Sequence, residues 1–390
     1  GAAGDGDIGN FDNWEDGAFD NSNNQMLDFS RATAPVKLGS SVSAAAIAYL
    51  PPSGGEPTLT LRSEGDAGQV ILYGVHNTTF YSAAYCRRGC TIDFDVDFKN
   101  GGKDRNGWIG AGTFRFERAL NANCVNYFVL DGFVDVAGTL APTDGLRFFT
   151  NHDTPLDRGI LRFVEGANVA LTGPMTTDNN DGFLSGHAYE QTGGSVTAKS
   201  LCMVATRSQT KDINTYTLSD GTLTLTDDIN LGGQSTVVPD MKPLPTGTFV
   251  MTGGTLNVPK IMLALNSNWC KLSGGTVNLG SDGFTKAVVE TFAESVPNTT
   301  PGLEFGGVTF AAANSWTAAS ELDVNLTGLN GNPVFDVAAE QTVTVAGAVS
   351  GIGGFIKRGP GALAFTGTYS ATGDITVEAG TVTFAASARQ

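Results

Sequence analysis

The peptide Thr252-Gly253-Gly254-Thr255-Leu256-Asn257-Val258 returns at 273–279 as "SGGTVNL", nearly unchanged. Related copies are "GGSVTA" at 193–198, "DGTLTL" at 220–225, "GGVTF" at 306–310 and "AGTVTF" at 379–384, with "AGTLAP" at 137–142 a weaker relative. A phosphate-binding glycine loop occurs once and leads into a helix. This unit recurs, and the residues after its glycine alternate apolar with small polar. Leu256 and Val258 therefore point one way while Thr255 and Asn257 point the other, as on a strand. Leu223 with Leu225, Val277 with Leu279, and Val382 with Phe384 repeat the pattern. Glycine tolerates the positive φ of a tight bend, which a Cβ resists. Gly194, Gly221, Gly254, Gly275, Gly307 and Gly380 are accordingly the expected structural residues, each a corner opening a half-buried strand.

Successive copies lie 27, 33, 21 and 32 residues apart, followed by a stretch of 73. A meander of hairpins would show turns every 8–12 residues. The longer spacing leaves room for two or three short strands per unit, which is one coil of a parallel β-helix. Unequal gaps predict loops of varying length leaving the coil at a corner. The last 230 residues would make roughly 8–11 coils of about 4.8 Å rise each.

The stretch 353–384, "GGFIKRGPGALAFTGTYSATGDITVEAGTVTF", has a Lys before spaced glycines, an apolar pair, a Gly, a Tyr and a Gly-Thr-apolar-x-apolar ending. The residues are Lys357, Gly359, Gly361, Leu363, Phe365, Gly367, Tyr369, Val377, Gly380, Thr381, Val382 and Phe384. This resembles the strand repeat associated with autotransporter passenger domains, and the looser glycine units carry the likeness back to about residue 160. The resemblance implies a right-handed parallel β-helix that is secreted or displayed on a surface, and it brings no catalytic residues. The family usually carries a C-terminal outer-membrane barrel. This chain stops at "AASARQ" without a barrel-like set of strands, so the expectation is a removed barrel or another export route.

Residues 1–30 hold seven acidic residues and no Lys or Arg, with Phe11, Trp14, Phe19 and Phe29 interleaved. They read as an extended acidic arm that docks on the body or on a neighbouring molecule. Residues 31–150 read as a β region that forms either a cap or irregular first coils, and 151–390 as the β-helix proper. Solenoids need terminal caps because an open strand end invites pairing. The fold expected is all-β: a right-handed parallel β-helix with an irregular N-terminal cap or arm.

Composition agrees, with 51 glycines and only 16% charged residues. The net charge of −16 without a basic stripe argues against nucleic acid, which needs clustered Lys and Arg. An anionic membrane surface would repel the chain. The longest apolar run, "SAAAIAYL" at 43–50, ends in Pro51-Pro52, well short of the roughly 18–20 residues a bilayer span requires. A start at Gly1 points to a mature product whose signal peptide has been removed, or to a trimmed chain.

Chemistry-bearing candidates are sparse. Asp5, Asp7, Asp12 and Asp16 space oxygen ligands as a calcium loop would, but the glycine and glutamate of an EF-hand are out of place. A solvated acidic arm is the plainer account, and no other cofactor is expected. Asp93, Asp95 and Asp97 share one strand face opposite Ile92, Phe94, Val96 and Phe98. Asp227-Asp228 and His187 loosely echo pectin hydrolases, without the Arg-x-Lys that would hold an acidic sugar. Lys357-Arg358 reads as an exposed strand end. Among five cysteines, Cys86, Cys90 and Cys124 are close enough in sequence for a disulfide, against buried thiols as the alternative.

The reading is a non-enzymatic extracellular or cell-surface structural protein: a fibre, stalk, adhesin or self-assembling filament or sheath subunit. Its expected partner is itself, through the β-helix ends or the 1–30 arm. The alternatives are a carbohydrate-binding surface protein, with Trp14, Trp108, Trp269 and Trp316 as stacking platforms, and a β-helix enzyme degrading polysaccharide.

Overall fold

The computed structural model describes residues 26–385 except 53–54, 64–67, 73–74, 78–79, 101–105, 110–111, 122–125, 130–131, 141–145, 149–158, 177–187, 204–213, 232–246, 264–268 and 288–301. Among the described residues there are 39 strands and no helix. The chain divides into two compact units, Gly1–Gly173 and Pro174–Gln390.

In the N-terminal unit, each strand pairs in parallel with one about a coil later, in three ladders. One runs through Met26–Asp28, Ala46–Tyr49, Phe80–Cys86, Asn106–Ile109, Asn126–Val129 and Leu146–Phe148. A second runs through Val36–Leu38, Thr58–Ser63, Thr91–Asp95, Thr113–Phe116, Phe133–Val136 and Ile160–Phe163. The third runs through Val42–Ala44, Gln69–Leu72, Asp97–Asn100, Leu120–Asn121, Thr139–Leu140 and Asn168–Ala170. Like residues stack: Leu61, Phe94, Phe116, Val136 and Phe163 are in register and buried. The Phe94 and Phe116 rings lie face to face at 4.8 Å, a separation that adds to simple area burial. One exception to parallel pairing is described, a hairpin of Val75–Asn77 with Phe80–Cys86.

Within 31–150, the stretch expected to be a cap or irregular first coils, the described strands form parallel ladders, with a register shift between Gly107 and Trp108. The ladder reaches back to Met26–Asp28, inside the sequence assigned to the acidic arm. Residues 1–25, including Asp5, Asp7, Asp12 and Asp16, lie outside the described residues.

The C-terminal unit repeats the scheme. Its central ladder stacks 195–198, 222–225, 255–258, 276–279, Thr309–Ala312, Val334–Val337, Phe355–Arg358 and Ile375–Val377, eight rungs in parallel register. A flanking ladder includes 214–218, Gly247–Met251, Trp269–Leu272, Gly302–Phe305, Asp323–Leu326 and Val349–Gly351. The third includes Asp228–Leu231, 260–263, 283–286, Trp316–Ala318, Thr342–Val345, Ala362–Phe365 and Thr381–Phe384. Parallel pairing of this kind is what a β-helix or solenoid requires.

The repeated glycines form the corner between the flanking and central ladders. Gly194, Gly221, Gly254 and Gly275 have φ of 66, 83, 72 and 77°. They sit one above another: a Cβ on Gly254 would lie 2.7 Å from the Gly221 carbonyl oxygen, and one on Gly275 only 2.5 Å from that of Gly254. Two members differ. Gly307 occupies the same corner without a positive φ, and its bar to a side chain is the Asn330 oxygen at 2.2 Å. Gly380 (φ 77°) opens Thr381–Phe384, a strand of the third ladder, so "AGTVTF" belongs to another corner. The 73-residue gap holds further rungs, through Val334, Ile356 and Thr376. Gly353 and Gly373 serve the bends before Phe355 and Ile375, each pressed against backbone of the preceding coil.

Inside the coils the alternation holds. Leu223, Leu256 and Val277 are fully buried, and Leu225, Val258 and Leu279 nearly so. Tyr189, Tyr216 and Phe249 stack at 5.9 and 5.7 Å, and the Tyr216 hydroxyl donates to the buried Gln191 Oε1 at 2.7 Å. Gln191 Nε2 in turn donates to the Thr222 carbonyl at 3.0 Å, so this buried amide is satisfied on both sides.

Candidate functional site

The outward half of the glycine repeat makes a regular polar surface on the C-terminal unit. In the central ladder Ser195, Thr222, Thr255, Thr276 and Thr309 share one row. Thr197, Thr224, Asn257 and Asn278 share the next. None of these positions is charged, and β-branched Thr favours a pleated surface with few rotamers. Asn278 Nδ2 donates to Asn257 Oδ1 at 2.7 Å, and Asn257 Nδ2 to Thr224 Oγ1 at 3.0 Å. Three rungs are thereby zipped along the stack, each such cross-strand pair contributing roughly 0.2–1 kcal/mol.

Beside this row the corner between the central and third ladders opens into a groove of about 410 Å3. Its origin is local. Proline has no N–H for a ladder, and the register between 255–263 and 276–286 shifts between Val258 and Lys260. The facing coil takes up the difference at Gly280-Ser281-Asp282, where a Cβ on Gly280 would lie 2.7 Å from the Pro259 Cα. Asn257, Pro259, Asn278, Ser281, Asp282, Ala311, Ala313 and Asn314 line the groove.

The carboxylates singled out in the sequence sit elsewhere. Asp228 forms an ion pair with Lys260 at 3.7 Å; burial, then the neighbouring Asp227, raises its pKa. His187 lies outside the described residues. Ile92, Phe94, Val96 and Phe98 are buried opposite Asp93, Asp95 and Asp97, as the alternation predicts. Asp95 joins a set of cross-coil ion pairs: Arg62 and Arg118 each donate to it at 3.0 Å, and Arg162 holds Asp135 through two bonds of 2.5 and 2.8 Å. Asp93 Oδ1 is buried without a hydrogen-bond partner, and burial followed by Glu117 raises its pKa. Among the described residues no group of three or more His, Cys, Asp or Glu could hold a metal.

Cys86 and Cys90 are buried thiols and are not joined to each other; Cys124 lies outside the described residues. Cys86 Sγ instead donates to the Cys90 carbonyl at 3.4 Å, and burial pushes its thiol up to about 12. Of the tryptophans, Trp316 is buried against Phe284 and Phe310. Trp269 is 38% exposed, its ring over Gly302 and near Lys271. Trp14 lies outside the described residues, and Trp108 falls in the strand Asn106–Ile109.

Lys357 corrects the exposed-end reading. It occupies the inward row after Phe335 and is fully buried. Its Nζ donates to the carbonyls of Arg358, Gly359 (2.7 Å) and Ala379 (3.3 Å), clamping two successive corners. Burial lowers its pKa, and Asp336 opposes the shift. Arg358, by contrast, is exposed and paired with Glu378 at 2.7 Å.

No protein-family model, curated protein or solved structure matches the chain. Among the described residues no helix is long and apolar enough to cross a membrane.

Proposed function

We propose that this chain is a non-enzymatic structural protein of the cell exterior, a solenoid that extends by stacking coils and serves as a surface fibre, stalk, adhesin or filament subunit. The winding is right-handed, the hand that parallel strand crossovers adopt almost without exception. The carrying observation is the stack itself: the central ladder runs eight rungs in parallel register, and its inward row buries Val196, Leu223, Leu256 and Val277 one above another. Stability that accumulates coil by coil suits an element that extends. The likeness of 353–384 to passenger-domain repeats supports secretion or surface display.

Electron microscopy and sedimentation of the purified chain across a concentration series test this reading. End-to-end assemblies are expected. A chain that stays monomeric at every concentration contradicts it.

A further inference from the structure

We propose that the corner groove beside the Thr/Asn rows is a binding site for a neutral polysaccharide. The inference goes beyond the structural role, and it stands on the groove's own chemistry. The groove is a shallow, open track of about 410 Å3, a form that suits a polymer lying along the surface better than an enclosed small molecule. A sugar ring offers two kinds of surface, an apolar face of C–H bonds and a rim of hydroxyls. The groove offers both complements. Pro259, Ala311 and Ala313 give carbon surface, while Asn257, Asn278, Ser281 and Asn314 give amide and hydroxyl groups.

Charge narrows the ligand class. Asp282 is the one charged residue lining the groove, on a chain of net charge −16. An anionic polymer would meet a repulsive field and no cation in the groove. A cationic polymer would find a single carboxylate to hold. A neutral polyol needs neither, and Asp282 accepts hydrogen bonds from its hydroxyls.

Preorganisation and reach favour a polymer. The Asn278–Asn257–Thr224 hydrogen bonds fix these side chains before any ligand arrives, which lowers the ordering cost of binding. The same row continues through Thr224 and Thr197 at about 4.8 Å per rung, so a chain of sugars leaving the groove along the stack keeps meeting hydroxyl groups.

The test is affinity electrophoresis of the full chain in gels containing soluble β-glucan, xylan, mannan or starch, with polygalacturonate as the anionic contrast. At least one neutral polymer is expected to retard the chain. Ala313→Arg fills the groove from an exposed position and should weaken that binding about tenfold or more. Asn278→Ala removes one neutral hydrogen-bonding group and should weaken it about three- to tenfold. Thr217→Ala, on the outward side of the flanking ladder, should change nothing. Circular dichroism and melting of each variant show that it is folded, and Asn278→Ala carries the test alone if Ala313→Arg does not fold. Retardation by no neutral polymer, by polygalacturonate alone, or equally in parent and both groove variants overturns the proposal.

Discussion

Gly275→Ala is expected to destabilise the C-terminal unit by about 2–5 kcal/mol. Two costs add. At φ 77° an L-residue sits in the left-handed region, which costs about 1–2 kcal/mol. The new methyl would also lie 2.5 Å from the Gly254 oxygen and 2.7 Å from the Gly253 carbonyl carbon. Both are backbone atoms of the coil beneath, so relief requires separating two rungs, an overpacking cost of about 1–3 kcal/mol. Gly328 separates the two terms. Its φ is 68°, yet a Cβ there meets nothing nearer than the Gly353 Cα at 3.6 Å, ordinary contact. Gly328→Ala should therefore lose only the conformational part. Chemical denaturation of both variants checks this, and equal losses would mean that the glycine stack does not hold coils at contact distance.

Lys357→Ala is expected to cost about 2–4 kcal/mol, and Lys357→Met somewhat less. The ammonium is the donor for the Gly359 and Ala379 carbonyls, and hydrogen bonds to a charged group are worth about 1.5–3 kcal/mol. Methionine keeps a flexible apolar stem in the buried row and loses only the donor; alanine loses both. The pH dependence has a definite sign. Burial holds the folded pKa below the ordinary 10.5, so between those two values the unfolded chain binds the additional proton. Stability from this group therefore rises with pH across that window and is lost as pH falls through the folded pKa. The gap between the parent and Lys357→Met should widen as pH climbs toward 10.5. Urea titrations across that range measure it; a gap that stays constant would show that Nζ is better solvated than its buried position implies, and a gap that narrows that the carbonyls favour the charged form by more than burial opposes it.

Gly275 was legible in the sequence and Lys357 was not. The central ladder could be read because its code is short: glycine, then alternating residues, with Thr222, Thr255, Thr276 and Thr309 each one coil apart. The later coils were hidden because their bends use other residues. Val334 follows Asn332-Pro333, and Phe355 and Ile375 follow Gly353-Gly354 and Gly373-Asp374 without the threonine that marked the earlier copies. "AGTVTF" had the right letters at the wrong corner, since the Gly-Thr unit encodes a bend and not which bend. In the N-terminal unit, aromatic-rich strands such as Thr113–Phe116 carry the same stacking without a repeating glycine signature. Lys357 misled for a physical reason: a lysine is usually solvated, and only the converging carbonyls of two coils reveal a buried one. The groove could not be read at all. It arises from unequal corners in neighbouring coils, at Pro259, at 280–282 and at 313–315, which lie far apart in sequence. The outward Thr and Asn letters are plain in the sequence, where they read only as the solvent side of a strand.

The central claim is parallel, in-register stacking of the glycine-cornered coils, and paired nitroxide labels test it directly. Labels would replace Thr222 together with Thr255, Thr276 or Thr309, residues of one outward row on successive rungs. Each rung adds about 4.8 Å. Spin–spin broadening should be strongest for Thr222 with Thr255, weaker with Thr276 and weakest with Thr309. Spectra in which the Thr222–Thr255 pair is no broader than the sum of its single labels, or in which the order is inverted, would contradict the stack.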